Sequence, residues 1–444
     1  MTPENGRLYR AIWRWHFYAG LFVVPFILLL SLTGAIYLFK PQLDAWQERH
    51  WHDAPFERVV SPDDQVKAAL AAVPEARFYS YRFPPHPVGA AVIHVGLPGG
   101  SMRDIGVSLD GRVLGVADPE ARISATVSRI HGSLLMGRWG GLLVETAACW
   151  AILLILSGLY LWWPRGRGPA GVLWPRLGAR GRLFWRDLHA VTGFWVSGLA
   201  LVLLVSGLPW TDGWATAFRT VRAELGLVQG PQQWKGGVDL HAEHDHEAML
   251  RAQAAVPGPG LSLNDIYLRA LAERLPEPVV LIPPGAPMPL GPPNGNVWKL
   301  SSETQNRPLA RSVSFDPMTG AVVAREGFAD KHPIDRVIGY GIAWHEGQLF
   351  GWVNQAIGAL TALALMALAV SGVAMWWRRR PGSTLGAPPR PSEAKLRVVA
   401  VIMLALALLL PMLAASLILL LAVDRLLLPL WPRARRWLDR TAPA

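Results

Sequence analysis

Five long apolar stretches constrain the fold of this chain more than any other feature. They cover residues 17–39, 142–163, 190–210, 354–377 and 398–423, and each has the roughly 20 residues that a helix needs to cross a bilayer. Only 17% of the residues are charged, against about 25% in soluble domains. The first stretch is too long for a secretory signal and is followed by no A-x-A cleavage pattern. The sequence therefore predicts a polytopic α-helical membrane protein.

The distribution of charge predicts the orientation of the helices. Basic residues dominate segments 1–14, 164–187 and 378–397, whereas segment 40–138 has 11 basic and 11 acidic residues and segment 211–350 has 12 and 15. Because cytoplasmic loops are enriched in Lys and Arg, the three basic segments are predicted to be cytoplasmic and the two long ones to face outward. The net charge of +11 is thus a topology signal and does not indicate a nucleic-acid partner. An odd fifth helix places the basic tail outside; alternatively, Pro411 breaks the last stretch into a re-entrant segment, and we favour five spans.

The single cysteine, Cys149, lies inside the second apolar stretch. This excludes a disulfide framework, a Cys-rich zinc site, an iron–sulfur cluster and covalent haem attachment through CxxCH. The chain also has no pattern of a hydrolytic triad, a phosphate-binding loop or a HExxH protease.

The chain has an internal duplication. His16 and His189 are each followed by Gly at offsets 4 and 18, and His131 and His345 are each followed by Gly at offset 6, Ser-Gly at 26–27 and Trp-Trp at 31–32. The outer segments repeat as well, with Ser-capped helices predicted at 61–73 and 262–274. Short strands follow at 78–82, 91–96, 104–109 and 112–116 in the first segment and at 279–282, 297–300, 312–315 and 321–324 in the second. The turns Asp110-Gly111 and Asp316–Gly320 are typical of hairpins.

Paired spans with a His near the start, DPxTG-like turns in the outer modules and SG…WW at a helix exit make residues 8–380 resemble the PepSY-associated transmembrane family. The resemblance implies a four-helix haem-binding core. Together with the duplication and the apolar stretches, it predicts an internally duplicated membrane protein that has this core, a fifth C-terminal helix and two periplasmic α+β PepSY-like modules. The best-understood members are inner-membrane ferric-siderophore reductases with two b-type haems. Some relatives carry a fused flavodoxin-like reductase domain, which this sequence lacks, so its electron donor is not identified.

The predicted segments follow the duplication. They are the N-terminus and first span (1–40), the first PepSY-like module (41–128), the second span (129–163), a cytoplasmic loop (164–187), the third span (188–210), the second module (211–335), the fourth span (336–377), a second cytoplasmic loop (378–397), the fifth span (398–423) and a tail (424–444).

Four histidines at helix ends are the candidate haem ligands. His16 and His189 stand at predicted cytoplasmic starts of spans, and His131 and His345 precede outward starts. Two pairs at opposite faces suit two bis-imidazole haems, although an interfacial His also anchors a helix without any ligand. Gly20 and Gly193 lie one turn from their histidines, so the helix surface there is bare enough for a flat macrocycle. A straight helix from His131 to Trp163 would be about 48 Å long, so the intervening glycines are expected to bend it.

Several further residues are candidates for a role. Glu145 is the one acid within an apolar helix, and an intramembrane carboxylate suggests a proton or haem-pocket contact. Arg138 is a candidate partner for Glu145 or for a haem propionate. The Ser157-Gly158 and Ser371-Gly372 pairs are interpreted as small-residue helix contacts, and the Trp-Trp pairs as part of an aromatic belt. His241, His244 and His246 lie in the sequence HAEHDHE, which is either a metal or substrate-iron site or a solvated linker.

The predicted function is that of an inner-membrane haem b protein, multi-pass, with a cytoplasmic N-terminus. We expect electrons to pass across the bilayer to a ferric siderophore held by the periplasmic modules, with release of Fe(II). No side chain is expected to act as a covalent catalyst. The alternatives are a non-enzymatic regulator whose outer modules bind a peptidase or peptide, and electron transfer to a different acceptor.

Overall fold

The computed structural model describes residues 3–52, 56–85, 89–164, 169–227, 260–288, 293–380, 385–388, 397–431, 433 and 437–438. These residues form two compact units. The helical unit comprises Met1–Ala35, Ile130–Val221 and Ala356–Ala444, and the sheet unit comprises Ile36–Arg129 and Arg222–Gln355.

The α-helices of the described residues are numbered in chain order. They are α1 (Pro3–Tyr37), α2 (Lys40–His52), α3 (Pro62–Ala72), α4 (Ile123–Ser133), α5 (Gly137–Trp162), α6 (Arg182–Gly207), α7 (Asp212–Glu224), α8 (Leu263–Leu271), α9 (Pro333–His345), α10 (Trp352–Arg379), α11 (Arg397–Leu409) and α12 (Pro411–Ala422).

Five helical segments of the described chain are long and apolar enough to span a membrane, as the sequence predicts. They are Gly6–Tyr37, Gly137–Trp162, Arg182–Trp210, Trp352–Arg379 and Pro411–Leu430.

The fifth segment differs from the predicted continuous helix at 398–423. Leu410 has a non-helical backbone, with φ −126° and ψ 88°, and α12 begins at Pro411. The break occurs here because proline lacks the N–H that would continue the helix and its ring clashes with the preceding turn. Leu410 and Leu413 pack in a cluster with Trp150 of α5, whose indole N–H donates to the Ser416 hydroxyl at 3.0 Å. The chain is therefore broken at Pro411, as one of the two sequence-based alternatives has it, and the fifth candidate span begins at Pro411 in place of residue 398.

The segment predicted at 129–163 consists of two helices. α4 ends at Ser133, and the chain then passes through Leu134 and Leu135 with φ of 54° and 58° before α5 starts at Gly137. Left-handed backbone at two leucines is unusual and cannot be part of an α-helix. The chain therefore turns between His131 and α5, which removes the difficulty of a 48 Å straight helix.

The sheet unit contains one eight-stranded antiparallel sheet. Its strands are β1 (Arg77–Arg82), β2 (Ala91–Gly96), β3 (Met102–Val107), β4 (Val113–Ala117), β5 (Val279–Ile282), β6 (Trp298–Ser302), β7 (Arg311–Phe315) and β8 (Val322–Gly327). The order is β4-β3-β2-β1-β5-β6-β7-β8, and the two halves join where Tyr81 pairs with Leu281 and Arg82 with Val280. The expectation of two separate α+β modules is thus corrected: they share one sheet.

Two Ser-capped helices cover this sheet. Ser61 accepts a hydrogen bond from the Asp64 amide at the start of α3, and Ser262 forms a capping box with Asp265 at the start of α8. A single hydrophobic core takes Ile93 and Ile105 from one half together with Leu281, Leu300 and Ile266 from the other. Burial of both halves in one core explains why the strands continue across the β1–β5 junction.

Candidate functional site

His16 of α1 and His189 of α6 both belong to the helical unit. Both side chains are only partly exposed, and each contacts a Ser-Gly pair of another helix, Ser157-Gly158 for His16 and Ser371-Gly372 for His189. The structure therefore places two of the four histidines that the sequence singles out in matching surroundings.

The ring of His16 is held by a serine of α5. Its Nδ1 lies 2.8 Å from the Ser157 hydroxyl, and that hydroxyl donates its own proton to the Leu154 carbonyl at 3.1 Å. A hydroxyl has one proton, which Ser157 can give to Leu154 or to His16. When Leu154 is its acceptor, Ser157 accepts from Nδ1 of His16, and Nε2 then keeps a free lone pair.

His189 is held in the same manner by α10. Its Nδ1 lies 3.0 Å from the Leu368 carbonyl and 3.2 Å from the Ser371 hydroxyl, which itself donates to Leu368 at 3.0 Å. A carbonyl can only accept, so Nδ1 of His189 carries the hydrogen. His189 thus presents Nε2 as a metal-binding atom, and His16 does so when Ser157 accepts from its Nδ1.

His131 repeats the arrangement near the other end of α1. Its Nδ1 lies 3.0 Å from the Thr33 hydroxyl, which donates to the Leu29 carbonyl at 2.8 Å. His16 and Thr33 are 17 residues apart on the same helix, which corresponds to about 26 Å of helix axis. The helical unit therefore holds two histidine positions separated by nearly the thickness of a hydrocarbon core, about 30 Å.

A glycine follows each of these hydroxyl residues and leaves room for the ring. A Cβ on Gly158 would lie 3.3 Å from Cε1 of His16, one on Gly372 3.5 Å from Cε1 of His189, and one on Gly34 3.1 Å from Cε1 of His131. The Ser-Gly and Thr-Gly pairs thus contact histidines, a role that the interpretation of Ser157-Gly158 and Ser371-Gly372 as small-residue helix contacts missed. The constant offset of 26–27 between each Ser-Gly pair and the preceding helix-end histidine was the signal that could have identified those two pairs.

Gly20 and Gly193 occupy matching positions on the two histidine helices. A Cβ on Gly20 would be 4.0 Å from Leu154, and one on Gly193 would be 3.4 Å from Leu368. These leucines are the residues whose carbonyls accept from Ser157 and Ser371. The two glycines therefore pack beside the elements that hold the histidines, and their contact with a macrocycle stays a prediction.

Glu145 has a structural role that the sequence did not indicate. It is fully buried, and its carboxylate accepts hydrogen bonds from the Gly213 and Trp214 amides, each at 2.8 Å. These amides lie in the first turn of α7, where backbone N–H groups have no helical partner. The carboxylate caps α7, whereas Arg138 is exposed; the suggested Glu145–Arg138 pair is therefore wrong, and a propionate role for Arg138 stays a prediction.

The first tryptophan of each Trp-Trp pair fastens the chain that follows its helix. The Trp162 indole donates to the Val172 carbonyl at 3.0 Å, and the Trp376 indole donates to the Leu385 carbonyl at 2.9 Å. Trp163 and Trp377 are exposed, as residues of an aromatic belt would be.

The remaining candidate ligands are placed as follows. His345 is the last residue of α9 and belongs to the sheet unit, so its pairing with His131 stays a prediction. His241, His244 and His246 lie outside the described residues.

Comparison with known proteins gives one family match. No curated protein matches the chain in a sequence search. The family described as the PepSY-associated TM region matches residues 13–379, which include all four helix-end histidines and both Trp-Trp pairs. Because the match extends over most of its length, the chain belongs to the PepSY-associated transmembrane family.

Proposed function

We propose that this chain is an inner-membrane haem b protein that carries electrons outward to reduce a ferric siderophore. In this proposal His16 and His189 ligate one haem, and His131 and His345 ligate the second. The observation that carries the proposal is the matching environment of His16 and His189, whose Nδ1 atoms each contact a serine hydroxyl of another helix.

The chemistry of the donor set fits haem iron. Haem iron takes imidazole nitrogen as an axial ligand, and a ligating His normally donates its second ring N–H to an acceptor that fixes its orientation. Ser157 and the Leu368 carbonyl are such acceptors. Cys149 is buried and no CxxCH sequence is present, so the haems would be held without a covalent thioether.

A haem iron supplies one-electron redox chemistry, which none of these side chains has on its own. Ser157, Ser371 and the Leu368 carbonyl would hold the two histidine rings in one orientation, with Nε2 available to a haem iron. Thr33 does the same for His131 at the other end of α1. Fixed ligands lower the reorganisation that accompanies each electron transfer.

The direction of transfer and the acceptor rest on the family resemblance and on the charge pattern. The basic segments indicate which side is cytoplasmic, and the sheet unit supplies the large folded segment for the opposite side. Iron(III) suits the hard oxygen donors of a siderophore better than iron(II) does, so reduction would release the metal.

The test uses purified protein in proteoliposomes. Chemically reduced protein should show a Soret band that shifts on oxidation, and a ferric siderophore that cannot cross lipid should reoxidise it from the outside. An external Fe(II) chelator should report iron release with the same kinetics. A featureless visible spectrum would contradict the haem proposal. A reoxidation rate that stays the same with and without several ferric chelates would contradict the siderophore as acceptor.

Replacing Ser157 with alanine is expected to weaken binding of one haem by about tenfold to a hundredfold, because loss of an acceptor to a ligating His has effects of this size. Ser157→Thr retains the hydroxyl and should restore most of the affinity. Ser197→Ala is the matched control, since the Ser197 hydroxyl donates to the Gly193 carbonyl of its own helix. Haem titration followed by the Soret band measures all three. Equal affinities in Ser157→Ala and the control would mean that Ser157 does not position His16.

A further inference from the structure

Arg379, the last residue of α10, lies against the segment of α1 that contains His16. Its guanidinium carbon is 5.0 Å from the centre of the Trp13 ring and 5.3 Å from that of Phe17. Trp13 is one turn before His16 and Phe17 is the next residue, so this cation is held beside the His16 turn. Stacking on two rings fixes the plane of the guanidinium.

A second arginine lies close to the first. Arg182 begins α6, seven residues before His189, which is about 10 Å along the helix. Arg379 follows Ser371, the residue in contact with His189, by eight residues, which is about 12 Å of helix. Both arginines therefore lie about two turns from the same histidine–serine contact, and both keep their charge because guanidinium groups do not lose their proton in proteins.

Neither of these arginines has an acidic partner among the described residues. One Arg379 nitrogen donates to the Gly386 carbonyl at 3.0 Å, but its buried Nε has no hydrogen-bond partner among the described residues. Within the described ranges no acidic side chain pairs with Arg379 or Arg182. Asp187, the acid nearby on α6, is already bound by Arg176 and Arg186, each at 2.7 Å.

We infer that Arg379 and Arg182 form an anion site for the carboxylate side chains of the porphyrin whose iron is held by His16 and His189. This inference rests on the proposed function. A porphyrin of the haem b type is apolar except for its two propionates, and a planar guanidinium binds a carboxylate through paired, charge-assisted hydrogen bonds. Because Arg379 ends α10 and Arg182 begins α6, these cations would also determine that the propionate edge of the macrocycle faces these helix ends.

A phospholipid phosphate is the other anion with suitable chemistry. The burial of the Arg379 Nε and its stacking on two α1 rings favour a ligand that lies among the helices. The adjacent Arg378 is exposed and is the better placed of the two for a lipid headgroup.

The test compares two ligands that differ only in charge. Haem-free protein in detergent is titrated with iron protoporphyrin IX and with its dimethyl ester, in a His131→Ala background so that the His16 site is observed alone. The unmodified arginine pair should favour the free acid by about tenfold to a hundredfold, the range expected for hydrogen bonds between charged groups. Arg379→Gln and Arg182→Gln should each reduce this preference several-fold, and Arg378→Gln should leave it unchanged.

The outcomes separate the two proposals. Binding of the acid and the ester with equal affinity would overturn the anion site and leave haem ligation standing. Binding of neither ligand would overturn the proposed function together with this inference. If Arg379→Gln instead removes phospholipid seen by native mass spectrometry and leaves the acid-to-ester preference unchanged, the arginines hold a lipid phosphate and the inference is wrong.

Discussion

Replacing His16 or His189 with alanine is expected to lower the haem content of the purified protein from about two per chain to about one. Each haem iron in the proposal has two imidazole ligands, and His16 and His189 belong to the same pair. When one of these two histidines is removed, we expect the other to be unable to retain the haem during purification in detergent. The remaining haem should keep its own spectrum, because His131 contacts Thr33, which lies about 26 Å from His16 along α1.

The measurement is a haem assay against protein concentration, with extraction by acid acetone because no cysteine sequence for covalent attachment is present. His50→Ala is the control, since His50 is exposed on α2 and is not a candidate ligand. His131→Ala should remove the other haem. If His16→Ala and His131→Ala lost the same haem, the assignment of these histidines to different haems at opposite ends of α1 would be contradicted.

Replacing Asp104 with asparagine is expected to destabilise the sheet unit by about 3–5 kcal/mol, the cost of removing one partner from a buried ion pair. Asp104 is 2% exposed and contacts His94 at 2.6 Å and Arg122. Arg122 also binds Glu48 at 2.7 Å, and Glu48 binds Arg82. The network connects α2, β1, β2 and β3, so the variant leaves two arginines poorly neutralised in a buried site.

The effect of Asp104→Asn should depend on pH in a defined direction. Burial opposes ionisation of Asp104, but His94 and Arg122 outweigh it and hold the pKa of this carboxyl below its ordinary value. A carboxyl with a lowered pKa stabilises the fold fully above about pH 4 and loses that contribution as the pH falls through its folded pKa. The difference between the parent and the variant should therefore narrow below about pH 4.

Amide hydrogen exchange of β2 and β3 in the detergent-solubilised full chain measures this difference, because it reports local opening of the sheet. Asp118→Asn is the matched control: Asp118 pairs with Arg103 at 3.3 Å and its side chain is 41% exposed. Exposed pairs contribute about 0–1 kcal/mol, so exchange should change little. Equal protection in the two variants would mean that the buried network does not hold the sheet together.

Local patterns in the sequence predict most helices and all eight described strands of this protein. The membrane helices follow from runs of apolar residues, and the eight predicted strands lie within three residues of the observed ones. Asp-Gly and Asp-Pro turns mark the ends of strands, and Ser caps mark the starts of α3 and α8, where the Ser side chain accepts a backbone hydrogen bond from a residue three positions later. These signals are local, because the residues that create each one lie within a few positions of one another.

Which of these elements meet depends on long-range packing that local sequence signals do not encode. The β1–β5 junction joins strands about 200 residues apart, and hairpin signals say nothing about a pairing between modules. Glu145 could be recognised as unusual from its apolar surroundings, but its partners, the amides of Gly213 and Trp214, are backbone groups with no sequence signature. The hydroxyls of Ser157, Ser371 and Thr33 look like ordinary small-residue positions until the facing helix brings an imidazole to each. Periodicity predicts that a residue lies on a helix face, whereas the packing of helices determines which atom of a distant residue that face contacts.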